Sequence, residues 1–245
     1  MSRPTPRYRA VLTQVRMEAR LTARRGENLL AMIGVPVAVL LFLGTFGSAR
    51  GAIGGALPGT LSIAILASGL VNLGIATAYE RGYGVLKRLG GSPLGRDGLV
   101  AAKLVVVVAI ALAQVVGLLL VASLALGWRP GPDVSVVAVL VATAVGAAAF
   151  AGLGIAIAGR VRPEAALVLA NVLFLLALGL SGALVPIANL PASIATVVRL
   201  LPPGALADTF AAALGDGSSV LPPLAILAAW AVAAAVIAAR TFRWD

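Results

Sequence analysis

Residues 79–103 read YERGYGVLKRLGGSPLGRDGLVAAK, and their charge decides the fold. The stretch holds seven charged side chains: Glu80, Arg81, Lys87, Arg88, Arg96, Asp97 and Lys103. Residues 51–78 before it and 104–128 after it carry no charge at all. A loop of this kind sits in water while its flanks sit in lipid. Five of its seven charges are basic, which is the mark of a cytoplasmic loop.

Composition agrees with that reading. The 245 residues are 60% hydrophobic and 11% charged, with a mean hydropathy of +1.04. Soluble domains carry roughly a quarter charged residues, so this is an integral membrane protein. Cysteine and histidine are absent, which excludes disulfide scaffolds, thiol chemistry and the usual zinc sites. The net charge of +10 reflects topology and not nucleic-acid binding, because aromatic residues are only 5% and stacking platforms are lacking. The richness in Ala, Gly, Val and Arg suggests a GC-rich bacterial source.

A helical crossing of the hydrocarbon core takes about 20 apolar residues. Six segments qualify: Leu29–Phe46, Leu57–Ala78, Leu104–Leu126, Val134–Ala158, Ala165–Val185 and Val220–Ala239. A charge at mid-bilayer costs about 2.5–3.5 kcal/mol on insertion scales, so charge-free runs of this length are selected. The expected fold is all-α, a single polytopic domain over residues 1–245. Sixteen of the nineteen basic residues fall in the two tails and the 79–103 and 159–164 loops, which places both ends of the chain in the cytoplasm of a cell inner membrane. Arg24-Arg25 before an apolar run invites a twin-arginine export signal, but Gly26-Glu27-Asn28 and the length of the run fit a retained span better.

Within residues 1–28, Tyr8, Val11, Leu12, Val15 and Ala19 recur at helical spacing, while Arg9, Thr13, Arg16 and Arg20 face elsewhere. That pattern predicts an amphipathic helix on the membrane surface, serving as a lipid anchor or also as a docking surface. In the 79–103 loop a short helix is expected over Glu80–Leu89, with Val85, Leu86 and Leu89 on one side and Lys87 and Arg88 on another; Gly90-Gly91-Ser92-Pro93 ends it. The glycines there form no phosphate loop: GGSPLGRDG lacks the closing Lys-Ser/Thr, and no strand precedes Gly82-Tyr83-Gly84.

Residues 181–219 are too apolar for an ordinary loop. Pro186, Pro191, Pro202 and Pro203 divide them into Ala192–Leu201 and Gly204–Leu214, each too short to span, which predicts a re-entrant or interfacial pair with Asp208 and Asp216 on the wet side. Polar residues inside the spans are few. Asn72, Gln114 and Asn171 either tie helices together or line a substrate path. Ala142, Gly146, Ala149 and Gly152 on the fourth span permit close packing within the chain or in a dimer.

The arrangement resembles the type-2 ABC transporter permeases, the daunorubicin-exporter-like family, over nearly the whole chain. The order carries the resemblance first: a basic amphipathic N-terminal helix, then six spans. The second carrier is the run from Glu80 to Leu89, then Ser92-Pro93 and Lys103, similar to the family's acidic residue, glycine, leucine–basic pair, small residue and proline. The third is Ser181-Gly182, Pro186, Leu190-Pro191 and Leu201-Pro202, similar to the re-entrant hairpin before the last span; the family often has Asn-Pro where this chain has Leu201-Pro202-Pro203.

The resemblance implies a permease driven by two copies of a cytoplasmic ATP-binding cassette subunit, with ATP and Mg on that partner and no cofactor on this chain. It implies pairing with a second permease, identical or homologous. Glu80, Arg81, Gly82, Leu86, Lys87, Arg88 and Leu89 would form the coupling helix that touches the ATPase. Tyr8, Val11, Leu12, Val15 and Arg16 would lie on the interface helix, and Gly182, Pro186, Leu190, Pro191 and Pro202 would shape the hairpin. Aliphatic spans suit an apolar or amphipathic cargo, a drug or lipid-like molecule. An ion-coupled carrier or channel is the alternative, weakened by the lack of acids within the spans; a membrane-embedded enzyme lacks acid–base groups.

Overall fold

The computed structural model describes residues 7–24, 26–46, 52–90 and 94–241, and all regular structure among them is helical. Helix α1 is Arg7–Arg24 and α2 is Gly26–Phe46. Helix α3 runs through Ala52–Leu66, a π-helical Ala67–Leu73 and Gly74–Gly82. Short α4 is Val85–Gly90, α5 is Gly95–Ala125, α6 is Val136–Ala158 and α7 is Pro163–Leu180. Helices α8, Ala192–Leu200, and α9, Pro202–Ala213, form the hairpin, and α10 is Leu221–Thr241. Five segments are long and apolar enough to cross a membrane: Gly54–Gly82, Asp97–Ala125, Val136–Ala158, Pro163–Leu180 and Leu221–Arg240. The apolar part of α2, Met32–Phe46, is shorter. The chain is a multi-pass membrane protein.

Three expected boundaries are corrected. The helical piece expected over Arg96–Lys103 and the third span expected from Leu104 form one continuous helix that begins at Gly95, so Lys103 lies within it. The fifth ends at Leu180, where a turn through Gly182 at φ +74° replaces the predicted continuation to Val185. The helix expected over Glu80–Leu89 is two pieces, because the chain turns at Tyr83 and Gly84. Gly84 adopts φ +70°, a conformation that only glycine takes at little cost. Ser92 and Pro93 lie outside the described residues.

Helix α3 is the axis of the bundle, with 78% of its crossing window buried against 17% for α7 and α10. It packs on α6 at van der Waals range of the backbone. A Cβ on Gly154 would lie 2.7 Å from the Gly69 carbonyl oxygen and 3.2 Å from the Gly74 Cα. The small residues foreseen on this span, Ala142, Gly146, Ala149 and Gly152, are packed within the chain: Gly146 against Leu206 of α9 and Gly152 against Ala234 of α10. Three buried hydroxyls are satisfied within their own helices, Thr60, Thr143 and Thr209 each donating to the carbonyl four residues back.

The hairpin closes the end of the bundle opposite α4. Pro186 precedes a single 3-10 turn, Ile187–Asn189; Leu190 is extended and Pro191 caps α8. Leu201 is extended at ψ 148°, as a residue before proline prefers, and Pro202 and Pro203 open α9 where no N–H is needed. The second proline is therefore accommodated by the helix start. Helix α9 is almost wholly buried against α3, and the Ser62 hydroxyl donates to the Pro203 carbonyl at 2.8 Å. On its outer side Asp208 pairs with Arg199 at 3.3 Å. Burial raises the Asp208 carboxyl above its usual range, Arg199 opposes that and Asp216 adds to it.

Replacing Gly154 by Val should lower stability by about 1–3 kcal/mol or more, because a backbone carbonyl and not a movable side chain meets the new atoms. Gly117→Ala, where nothing lies within 4 Å, should be neutral or slightly stabilising. Thermal unfolding of both variants in detergent checks the contrast.

Candidate functional site

Glu80, Arg81 and Gly82 each fasten a different part of the protein. The Glu80 carboxylate lies 2.7 Å from Lys103 Nζ on α5, and the same ammonium lies 3.1 Å from Glu18 Oε1 on α1. Gln14 Nε2, itself buried, donates to Glu18 Oε1 at 3.0 Å. Lys103 is only 3% exposed. A buried ammonium persists only where carboxylates compensate its lost hydration, so this set fixes α1, α3 and α5 together. Arg81 donates from Nη1 to the Gly159 carbonyl at 2.8 Å and from Nη2 to the Val161 carbonyl at 2.5 Å. Gly159 is the C-cap of α6 and Val161 lies in the turn just after it, a place where a cation is favoured by the helix dipole and by unsatisfied acceptors. Gly82 lies against Pro163 at the start of α7; an added Cβ would come 2.8 Å from its Cγ.

Glu80 and Arg81 therefore turn into the protein, and the exposed surface of the island begins at Gly82, which touches Pro163 but is itself exposed. Tyr83 is 75% exposed, and Val85, Lys87 and Arg88 are exposed with it. Leu86 is buried against Leu94 and Leu99, with Val11 of α1 over them. The expected apolar side Val85–Leu86–Leu89 is thus split: Leu86 anchors α4, while Val85 points outward. The Leu89 side chain lies outside the described residues.

Helix α1 packs on the protein through Val11, Gln14 and Glu18, with Val15 half-buried at the edge. Tyr8, Leu12 and Ala19 of the expected apolar face are exposed on the protein surface, as is Arg16. The pairing of Glu18 with buried Lys103 fixes which side of α1 meets the protein. Burying a charge without its partner costs more than leaving a leucine exposed.

A cavity of about 730 Å³ lies between α2, α3 and α7. Asn72 and Asn171 both line it, with Val35, Val71 and Phe174 among its apolar walls. Its end toward α4 is formed by Tyr79, Glu80, Tyr83 and Val85. Asn171 Nδ2 donates to the Leu167 carbonyl at 2.8 Å, so its carbonyl oxygen keeps its accepting capacity. Gln114 does not line the cavity. It is buried, donates from Nε2 to the Met32 carbonyl at 2.8 Å and is bonded through Oε1 to the Ser68 hydroxyl, which ties α2, α3 and α5. The π-helical turn contributes Ala67, Val71 and Asn72 to the cavity wall; such turns recur at functional positions.

Sequence reasoning passed over Glu18 and Tyr83. Glu18 is the lone acid among the arginines of α1, at helical spacing from Gln14, which is the signal that could have found it. Tyr83 stands just before the Gly84 that breaks the helix, and only the break exposes it.

A family model described as ABC-2 type transporter matches residues 9–213. A search of curated proteins finds no match to the chain.

Removing the ammonium should be costly. Lys103→Met leaves the Glu18 and Glu80 carboxylates facing a buried apolar chain, and stability should fall by about 3–5 kcal/mol. The triple replacement Lys103→Met, Glu18→Gln and Glu80→Gln should recover much of that loss. Thermal midpoints of the two proteins measure the difference.

Proposed function

Because the chain belongs to the ABC-2 type transporter family and is a membrane permease subunit, we propose that it exports an apolar or amphipathic substrate, driven by a separate ATP-binding subunit. One observation carries the reading. Tyr83 and Val85 belong at once to the exposed surface around α4 and to the end wall of the cavity. A protein that pushes on α4 therefore pushes on the cavity, with no intervening element to absorb the motion.

In this reading Tyr83, Val85, Lys87 and Arg88 are the contact with the cytoplasmic ATPase, and exposed Tyr8, Leu12 and Arg16 on α1 lie against that subunit or the anionic lipid surface. ATP and Mg bind the partner, two copies of which serve two permeases, identical or homologous. Closure of the partner on ATP favours one of two arrangements of the α3 end, and hydrolysis restores the other. Asn72 and Asn171 give the cavity two polar points in an apolar wall, which suits a drug-like or lipid-like cargo with a few hydrogen-bond donors. The excess of basic residues at the α4 end supports an orientation with that end in the cytoplasm of the inner membrane.

The coupled variant Lys87→Glu, Arg88→Glu should abolish co-purification of the ATPase and substrate-stimulated hydrolysis, while the thermal midpoint stays within about 1 °C of the parent because both side chains are exposed. Asn171→Trp should leave the ATPase bound and reduce substrate stimulation at least fivefold, by ~1 kcal/mol. Retained transport in both variants would overturn the reading.

A further inference from the structure

Helix α2 carries a proline, Pro36, in the middle of its length. A proline has no N–H to give to the carbonyl four residues back, and its ring crowds that carbonyl. In α2 the carbonyl belongs to Met32. Inside a membrane protein a backbone acceptor must find its partner within the protein, and here the donor comes from another helix. Gln114 of α5, only 4% exposed, donates from Nε2 to the Met32 carbonyl at 2.8 Å. That carbonyl can only accept, which sets the amide nitrogen toward α2 and the amide oxygen toward the Ser68 hydroxyl. Asn72 Nδ2 lies 3.5 Å from the Met32 sulfur. Ser68 and Asn72 both belong to the π-helical turn of α3. Two departures from α-helical bonding, in neighbouring helices, thus meet at one residue.

The two halves of α2 are held very differently. After Pro36, Leu40 is fully buried in the core and Val37 packs against it. Before Pro36, Met32 is buried, while Leu30, Ile33 and Val35 are exposed. A Cβ on Gly34 would meet nothing within 4 Å. Met32, Val35 and Pro36 line the cavity between α2, α3 and α7. A missing helix bond, a loosely held half-helix and a cavity wall therefore coincide, and helices bend at such prolines. Ser68 supplies the last element. Its Oγ reaches the Ala64 carbonyl at 3.0 Å as well as Gln114, and a hydroxyl has one proton to give. Ser68 therefore keeps a partner in its own helix when Gln114 is released.

We propose that Pro36 is a hinge in α2 and that Gln114 is the positioning residue that latches it. With the Gln114–Met32 bond made, residues 30–35 stand against α3 as one wall of the cavity. With it open, that half of α2 swings from α3 about Pro36, Val37 and Leu40 stay in the core, and the cavity widens. The hinge acts on the cavity read above as the substrate path. Neither measurement below uses substrate, so failure of that reading leaves both results unmoved.

The chain has no cysteine, so two spin labels can be placed through Leu30→Cys on α2 and Leu175→Cys on α7, both exposed positions. The full chain is diluted with unlabelled copies in lipid nanodiscs, and the spin–spin distance is measured. One narrow band is expected. Gln114→Met keeps the side-chain length and removes the donor. It should add a second band at longer distance and lower the thermal midpoint by about 4–8 °C, the effect of orphaning one buried carbonyl. Pro36→Ala returns a backbone N–H to the Met32 carbonyl. Gln114→Met made in that background should keep the single band and shift the midpoint by less than about 2 °C. An equal fall of the midpoint in both backgrounds would make Gln114 an ordinary tie between helices and overturn the proposal. So would an unchanged distance distribution in Gln114→Met, or two bands in the double variant. If Gln114→Met does not fold by itself, recovery of folded protein on adding Pro36→Ala is the expected result, and failure to recover it overturns the proposal.

Discussion

The pairing of Lys103 is the interaction on which the α4 end of this bundle depends. An ammonium 3% exposed has no water to solvate it, and Glu18 and Glu80 take that role from two other helices. The consequence is geometric. Lys103 lies nine residues into α5, Glu80 three residues from the end of the continuous α3, and Glu18 two-thirds along α1. Once the ammonium is held from both sides, the surface helix can neither rotate nor slide along α5, and α3 cannot withdraw. Breaking such a set by removing one member leaves an uncompensated charge, which is why the arrangement is stiff although its gross Coulomb energy is largely spent on desolvation.

Stiffness at this point has a use. The next residues, Arg81 and Gly82, extend the same clamp to the end of α6 and the start of α7. Beyond Gly84 the chain is held by little more than Leu86 in its small cluster. Mechanical contrast is therefore built into a few consecutive residues: a clamped helix end, a glycine turn, and a short exposed helix. In the proposed reading, a load on α4 would pass to Tyr83 and the clamped end, and from there to the wall of the cavity.

The spans were legible because lipid imposes a single severe constraint, the exclusion of charge, and each of the six charge-free runs is helical over most of its length. The hairpin was legible for a similar reason: prolines at 191, 202 and 203 can open helices but not continue them, and the two pieces start where those residues stand. What pairing does to charge was not legible. A lysine before a span reads as a loop residue, yet partners distant in sequence make Lys103 a helical, buried one. Similar hidden pairing drew Glu80 and Arg81 inward from a surface they were expected to form. Gln114 illustrates the remaining ambiguity: a lone polar residue in a span has the same appearance whether it ties helices or lines a path, and only Met32 and Ser68 beside it decide.

The π-helical turn of α3 left no mark in the sequence, and it borders the cavity. Apart from Asn72 its residues are apolar or small, with no proline to announce a break. The cause lies across the interface, where Gly154 of α6 comes against the carbonyls of Gly69 and Leu70. A backbone pressed this closely can take up a wider turn, since i→i+5 bonding changes which carbonyls point along the axis. The wider turn sits beside the cavity, where Asn72 within it lines the wall and Ser68 within it bonds Gln114.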